Sequence, residues 1–374
     1  MRHRTRRLGY PLVALALAMT AIAPASAAVS APPGPSPLRP WVKLCLTLKR
    51  MPEHRGIRCH YPPAPRPAPR PAPRRVAEAL RAPAIDELQI PTIPSTPVGL
   101  TSGPDDAIWF TENYANKIGR VTTGGAFTEY SLPTFDAEPA HITTGSDGAL
   151  WFTESNADRI GRITTSGTIT EYSLSTPGAF VWAITAGPDG ALWFTESNGN
   201  KIGRITTSGT ITEYSLPAAD SYPMRITTGP DGAIWFTEAL AGKIGRITTS
   251  GTITEYTVPS TGAMPIGITT GPDGNLWYTD GNGKVSNVTT SGVFTEYAVS
   301  DPNSFPWGIT SGPDGNLWFV EQVGGNVASV TTAGTINEYP LPTNLAGPFD
   351  IVLGPDDNLW ATEDYVDQLA VITP

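Results

Sequence analysis

Seven acidic residues, Glu112, Glu154, Glu196, Glu238, Asp280, Glu321 and Glu363, each stand three positions after a tryptophan. Carboxylates arrayed in this way have the chemistry to surround a divalent cation. A feature present in every copy of a repeat is explained more simply by packing, here as hydrogen bonds between neighbouring repeats. Chemistry is therefore sought where the copies differ. One step past the position, usually proline, that opens each copy stand Val98, Ala140, Trp182, Met224, Ile266, Trp307 and Phe349. The next step gives Gly99, His141, Ala183, Arg225, Gly267, Gly308 and Asp350. The first set offers an apolar, aromatic cup; the second places one imidazole, one guanidinium and one carboxylate among small residues. An apolar pocket with a few placed polar groups is the pattern of a small-ligand site. Val98, Trp182, Met224, Arg225, Trp307, Phe349 and Asp350 are thus the candidate binding residues. The alternative is that Trp182, Trp307 and Phe349 plug a channel mouth. Alternation along a strand allows only one of the two sets to face an axis directly.

His141 is the single histidine from residue 82 onward, in Glu138-Pro139-Ala140-His141. With Glu138 or another carboxylate as its orienting partner it is the candidate general base; bonding to a neighbouring loop is the plainer alternative. Nothing around it resembles a nucleophile elbow. The many glycines sit at turns, and none forms a phosphate-cradling loop.

The elements that must position these residues follow from the repeat. Trp109, Trp151, Trp193, Trp235, Trp277, Trp318 and Trp360 are separated by 42 residues five times and by 41 once. A unit of that length with four short strands is a β-propeller blade, and seven copies make an all-β, seven-bladed disc. In the third copy the strands are expected at Ala183–Thr185, Ala191–Glu196, Lys201–Thr206 and Thr210–Leu216, with turns at Pro188–Gly190, Asn198–Asn200 and Ser208-Gly209. The seventh copy ends at Pro374 after its third strand. Residues Ile85–Ile90 match a fourth strand in register, with Glu87 lying 42 positions before Glu129. The N-terminal strand should therefore complete the last blade and remove an open sheet edge.

The chain has 374 residues and divides unevenly in charge. Residues 1–81 hold 15 Lys and Arg against Glu53 and Glu78, a balance of +13, whereas residues 82–374 carry 10 basic and 32 acidic residues, a balance of −22. So acidic a propeller excludes nucleic acid as a partner. Residues 1–27 read as a signal peptide, with Arg2, Arg4, Arg6 and Arg7 before an apolar stretch and Ala25-Ser26-Ala27 as the cleavage site. Thr5-Arg6-Arg7 leaves open the twin-arginine or the ordinary export route. The expectation is a monomer, secreted or held in the cell envelope. Residues 28–81 form a basic, Pro-rich leader and linker before the propeller at 82–374, and this leader suits an anionic cell-envelope polymer or the acidic disc. Its Pro62–Arg75 run favours an extended spacer. Cys45 and Cys59 suit a disulfide in an oxidising compartment; His54 and His60 beside them match no standard metal spacing.

The repeated phrase, as in Trp193–Glu196, Lys201–Gly209 and Ile211–Pro217, with Pro-x-Gly-Ile-Thr opening other copies, resembles the streptogramin B lyase (virginiamycin B lyase) family over residues 85–374. The resemblance implies a seven-bladed propeller and magnesium-assisted opening of a cyclic peptide antibiotic's ester ring by elimination. It also implies a histidine base within a Glu-Pro-His-Gly stretch that opens the last blade. This chain has Gly347-Pro348-Phe349-Asp350 there, with Phe349 in place of the base and Gly347 in place of a metal-associated glutamate. A second such glutamate corresponds to Asp364, which with its neighbour Glu363 is the candidate magnesium ligand. Val98 stands for a substrate-side tyrosine and Trp307 for a further histidine. His141 is one position out of step with the motif and in the second blade, so it is not its equivalent. The favoured expectation is a propeller that binds a small peptide-like or glycan ligand on the face carrying the loops that lead into each blade. The alternatives are a magnesium-dependent lyase with a rearranged site, and a structural role in the envelope.

Overall fold

The computed structural model describes residues 82–374; the signal, leader and cysteine expectations lie outside the described residues. Twenty-eight strands, β1 to β28, form seven four-stranded antiparallel sheets. The inner strands are β2 (Pro97–Ser102), β6 (Pro139–Thr144), β10 (Val181–Ala186), β14 (Pro223–Thr228), β18 (Pro265–Thr270), β22 (Pro306–Ser311) and β26 (Pro348–Leu353). They open blades 1 to 7 in that order. Blade 3 continues through β11 (Leu192–Glu196), β12 (Lys201–Ile205) and β13 (Ile211–Ser215), each within about two residues of the strand expected from the repeat. Blade 7 continues through β27 (Leu359–Glu363) and β28 (Gln368–Thr373), and its outer strand is β1 (Ala84–Gln89). The register runs from Ala84 opposite Thr373 to Gln89 opposite Gln368, so the ring closes as the sequence requires.

Period-two alternation builds the core, because each second strand sends its tryptophan to one side and its flanking apolar residues to the other. Trp109 and Ile118 of blade 1 thereby pack on Leu150, Phe152 and Ile163 of blade 2. The seam works in the same way, with Trp360 and Leu369 meeting Ile108 and Phe110. All seven tryptophans are buried, and each donates its indole N–H to the aspartate of the first turn, as Trp193 does to Asp189 at 3.1 Å.

The hydrogen bonds between blades differ from those expected. Six blades use the threonine two positions after the tryptophan, and hydroxyls such as that of Thr144 add further bonds, as to the Ser102 carbonyl at 2.7 Å, whereas the acid three positions after the tryptophan supplies none. Thr153 Oγ1 accepts from the His141 amide at 3.0 Å and donates to the Trp182 carbonyl at 2.8 Å, and Thr111, Thr195, Thr237, Thr279 and Thr362 do the same. No donor reaches either carboxyl oxygen of Glu112, Glu154, Glu196 or Glu363. Asp280 and Glu321 find partners in their own blades, Met264 N with Asn282, and Ser304 with Asn326. Burial first, and then the outer-strand glutamate of the same blade, raises those four glutamates to a pKa of about 8. Such a value favours the protonated acid at pH 7, a form that can donate. The outer-strand glutamates themselves hold the loops leading into the blades; Glu171 accepts from the amide and hydroxyl of Thr134 at 3.1 and 2.6 Å.

Candidate functional site

Every inner strand carries a β-bulge just after its opening residue, for example between Pro348 and Ile351. A bulge puts two residues opposite one and turns them both inward, against simple alternation. Both variable sets consequently reach the centre of the disc, at successive depths. The outer layer, nearest the lead-in loops, is closed by aromatic contacts. Trp307 and Phe349 have ring centroids 4.5 Å apart and Trp182 and Phe349 6.2 Å, while Phe180 stacks on Trp182 and Phe305 lies tilted against Trp307. Val98, Met224, Trp307 and Phe349 are buried in this cluster, whereas Trp182 is half-buried.

One step deeper the three lone polar residues meet across the channel. Asp350 Oδ2 lies 2.9 Å from Arg225 Nη1 and 3.4 Å from His141 Nε2, and its Oδ1 accepts from the Ile351 amide at 3.1 Å. His141 Nδ1 sits 3.1 Å from the Ile184 carbonyl. Burial alone would raise the Asp350 carboxyl, but Arg225 and His141 outweigh it and hold it below its ordinary value. Burial, reinforced by the Arg225 charge, lowers His141 and favours neutral imidazole. The small residues of this layer have a steric cause: a Cβ at Gly99 would stand 2.7 Å from the Ala140 carbonyl oxygen, and one at Gly267 2.2 Å from that of Trp307. Below the triad a cavity of about 190 Å³ continues between the isoleucines and threonines of the inner strands. Glu138 lies outside this group, in the lead-in loop with a φ of +51°.

The sequence profile of the Virginiamycin B lyase family matches residues 83–372. The chain belongs to that family. It is similar to virginiamycin B lyase from Staphylococcus aureus, with 42% identity over 78% of this chain and 99% of that one, at a TM-score of 0.75. A streptogramin B lyase structure gives 38% identity, 79% and 99% coverage and a TM-score of 0.76. A catalytically inactive histidine-to-alanine form of the Staphylococcus enzyme, with quinupristin, gives 41%, 78% and 99%, and 0.75. Likenesses at much lower identity, such as the WD40 propeller of Doa1 at 11% and TM-score 0.63, show the fold alone.

Against the family pattern, the place of the metal-associated glutamate is sterically filled. Gly347 has a φ of +63°, and a side chain there would meet the Tyr365 ring at 2.5 Å. Glu363 is wholly buried beside Glu87. Asp364 is half-buried, and burial with the Asp367 charge raises it to about 7. No three His, Cys, Asp or Glu side chains converge on a metal position among the described residues. Tyr365 escaped the sequence analysis because it lies in the turn after β27, distant in sequence from the residue it covers. A second feature was also missed: of the six large apolar side chains left exposed among the described residues, Ile93, Tyr114, Phe135, Leu240 and Leu345 lie on the lead-in face and Val293 on the other. Phe135 is legible in principle, since the corresponding positions of the next two copies are Pro177 and Ala219.

Proposed function

We propose that this member of the family is a binding propeller that holds a small peptide-like or glycan ligand on its lead-in face and does not open it. The carrying observation is the concentration of exposed apolar side chains there, four of them (Ile93, Tyr114, Phe135 and Leu345) in the loops of blades 7, 1 and 2, beside a floor formed by Trp182, Trp307 and Phe349. Exposed apolar groups around a preformed aromatic floor favour a ligand with apolar or ring surfaces. The absence of elimination is supported by Phe349 at the position where the resemblance implies a base, and by His141, which lies beneath the floor and is engaged by Asp350. Loss of a general base costs roughly 10²–10⁴ in rate. Export by residues 1–27 and engagement of an anionic envelope polymer by the basic leader belong to the same proposal.

The test incubates the protein with quinupristin and magnesium and follows ring opening by mass. Tryptophan fluorescence is titrated in parallel with quinupristin and with a chito-oligosaccharide. Saturable quenching without ring opening, lost in Trp182→Ala and weakened in Phe135→Ser, is expected. Ring opening that disappears in His141→Ala would establish the rearranged lyase instead.

A further inference from the structure

We propose that the arginines of the Pro-rich run, Arg66, Arg70, Arg74 and Arg75, dock within the same chain on Asp273, Asp314 and Asp356 of blades 5 to 7, on the face opposite the lead-in loops. In blades 1 to 4 the corresponding aspartates, Asp105, Asp147, Asp189 and Asp231, each hold an arginine of their own blade at 2.7 Å. The structure thus shows four times over what this carboxylate takes. Blades 5 to 7 have Asn287, Ser329 and Val371 where that arginine would stand. Residues 265–374 with 84–89, which build these blades, hold one basic residue, Lys284, against fifteen acidic ones. Lys284 is engaged by Glu296 at 3.0 Å. The three aspartates are within reach of a partner: Asp273 and Asp314 are exposed and Asp356 is half-buried, each with an asparagine amide on its Oδ2.

The chain enters the propeller beside the first of them. Ala84 lies opposite Thr373, the Thr373 hydroxyl donates to Asn358 Oδ1 at 2.8 Å, and the Asn358 amide donates to Asp356 at 2.9 Å. Ten residues lead from Arg74 to Ala84, up to about 33 Å when extended, whereas β1 and β27 stand two strand spacings, about 10 Å, apart. Arg66, Arg70 and Arg74 recur every four residues, about 12 Å along a polyproline II spiral, close to the ~10 Å between packed sheets. The spiral turns successive arginines by about a third of a turn, which the long side chain makes good. Single exposed ion pairs are weak, but the tether makes this encounter intramolecular and raises the local concentration of arginine. An anionic polymer competes with the disc for these arginines. The lead-in face takes no part, so loss of this docking leaves the ligand proposal there untouched.

The test labels accessible carboxyls of the full chain with a carbodiimide and glycine ethyl ester, read residue by residue by mass. The comparison is a variant combining Arg66→Gln, Arg70→Gln, Arg74→Gln and Arg75→Gln, all outside the propeller strands. Labelling of Asp273 and Asp314 is expected to rise about threefold or more in the variant. The same rise is expected in the unaltered protein at about 0.5 M sodium chloride, where exposed pairs are screened. Asp301, exposed on the lead-in face, should not change. Equal labelling in the two proteins, or a rise that Asp301 shares, overturns the proposal. Protection that fades on dilution by about tenfold would give the docking to a neighbouring copy, and so overturn it too.

Discussion

Blades 1 to 4 and blades 5 to 7 fill one outline with different chemistry. In the first group Arg120, Arg162, Arg204 and Arg246 lie over the buried tryptophans and bond the turn aspartates at 2.7 Å. A glycine beneath each phenylalanine lets the ring lie against the backbone; a Cβ at Gly203 would stand 2.0 Å from Phe194. In the second group Asn287, Ser329 and Val371 replace the arginines, and Ser286, Ala328 and Ala370 replace the glycines. The aspartates there take an amide from Asn275, Asn316 or Asn358 instead. The inner cation paired with the outer glutamate persists in blade 5 as Lys284 but gives way to Asn326 and Gln368 in blades 6 and 7. One blade shape survives every one of these losses. Ionic contacts are therefore secondary to the apolar alternation, and the largest apolar cluster, at the channel mouth, is drawn mainly from blades 4 to 7.

Four experiments break or sharpen that contrast. The largest effect is expected from deleting residues 84–89, which bares β28 and uncovers part of the blade 7 core; the cooperative thermal transition should disappear, as followed by circular dichroism. Next comes Trp193→Ala, which removes a ring stacked on Tyr214 and covered by Arg204, at a cost of about 3–5 kcal/mol in denaturant unfolding. Trp360 has neither neighbour, because Leu88 and Val371 occupy those places, so Trp360→Ala should cost about 1 kcal/mol less. Equal losses would remove the distinction between the two groups.

The third experiment concerns pH. The native pKa of Glu196, about 8, lies above its ordinary value, so the folded state keeps a proton that the unfolded chain releases near 4.5. Stability from this group is complete below about 4.5 and is lost as pH rises toward 8, at ~1.4 kcal/mol per pH unit. Glu196→Gln should flatten the fall in stability between pH 5 and 8 by about one proton; an unchanged slope would mean that the buried acid is ionised. The smallest effect is expected for Arg204→Ala, at about 0.5–1 kcal/mol and reduced by salt. Ser329→Arg, placed to meet Asp314 in blade 6, should recover no more than that.

Much of the fold is legible in the sequence because the repeat states it seven times. The strands of blade 3 and the register of β1 on β28 follow from spacing alone. The candidate site is less legible, and for identifiable reasons. The bulge after each opening residue brings His141, Arg225 and Asp350 to the channel as well as Trp307 and Phe349, and no spacing announces it. The meeting of three single residues from blades 2, 4 and 7 is a property of closure, invisible in any one copy. The acids after the tryptophans misled because recurrence suggested a bonding role, which the neighbouring threonines perform.

The strand that seals blade 7 has a consequence for how the molecule is made. Gln89 Nε2 bonds the Asp367 carbonyl across 278 residues of sequence. Before those two segments meet, the polymer is an open arc with a bare sheet at each end, vulnerable to pairing with other copies. A stop codon within the final six residues should then be as harmful as trimming the front. A permuted gene with its ends moved to the hairpin at Thr248–Thr252 would simply relocate the join.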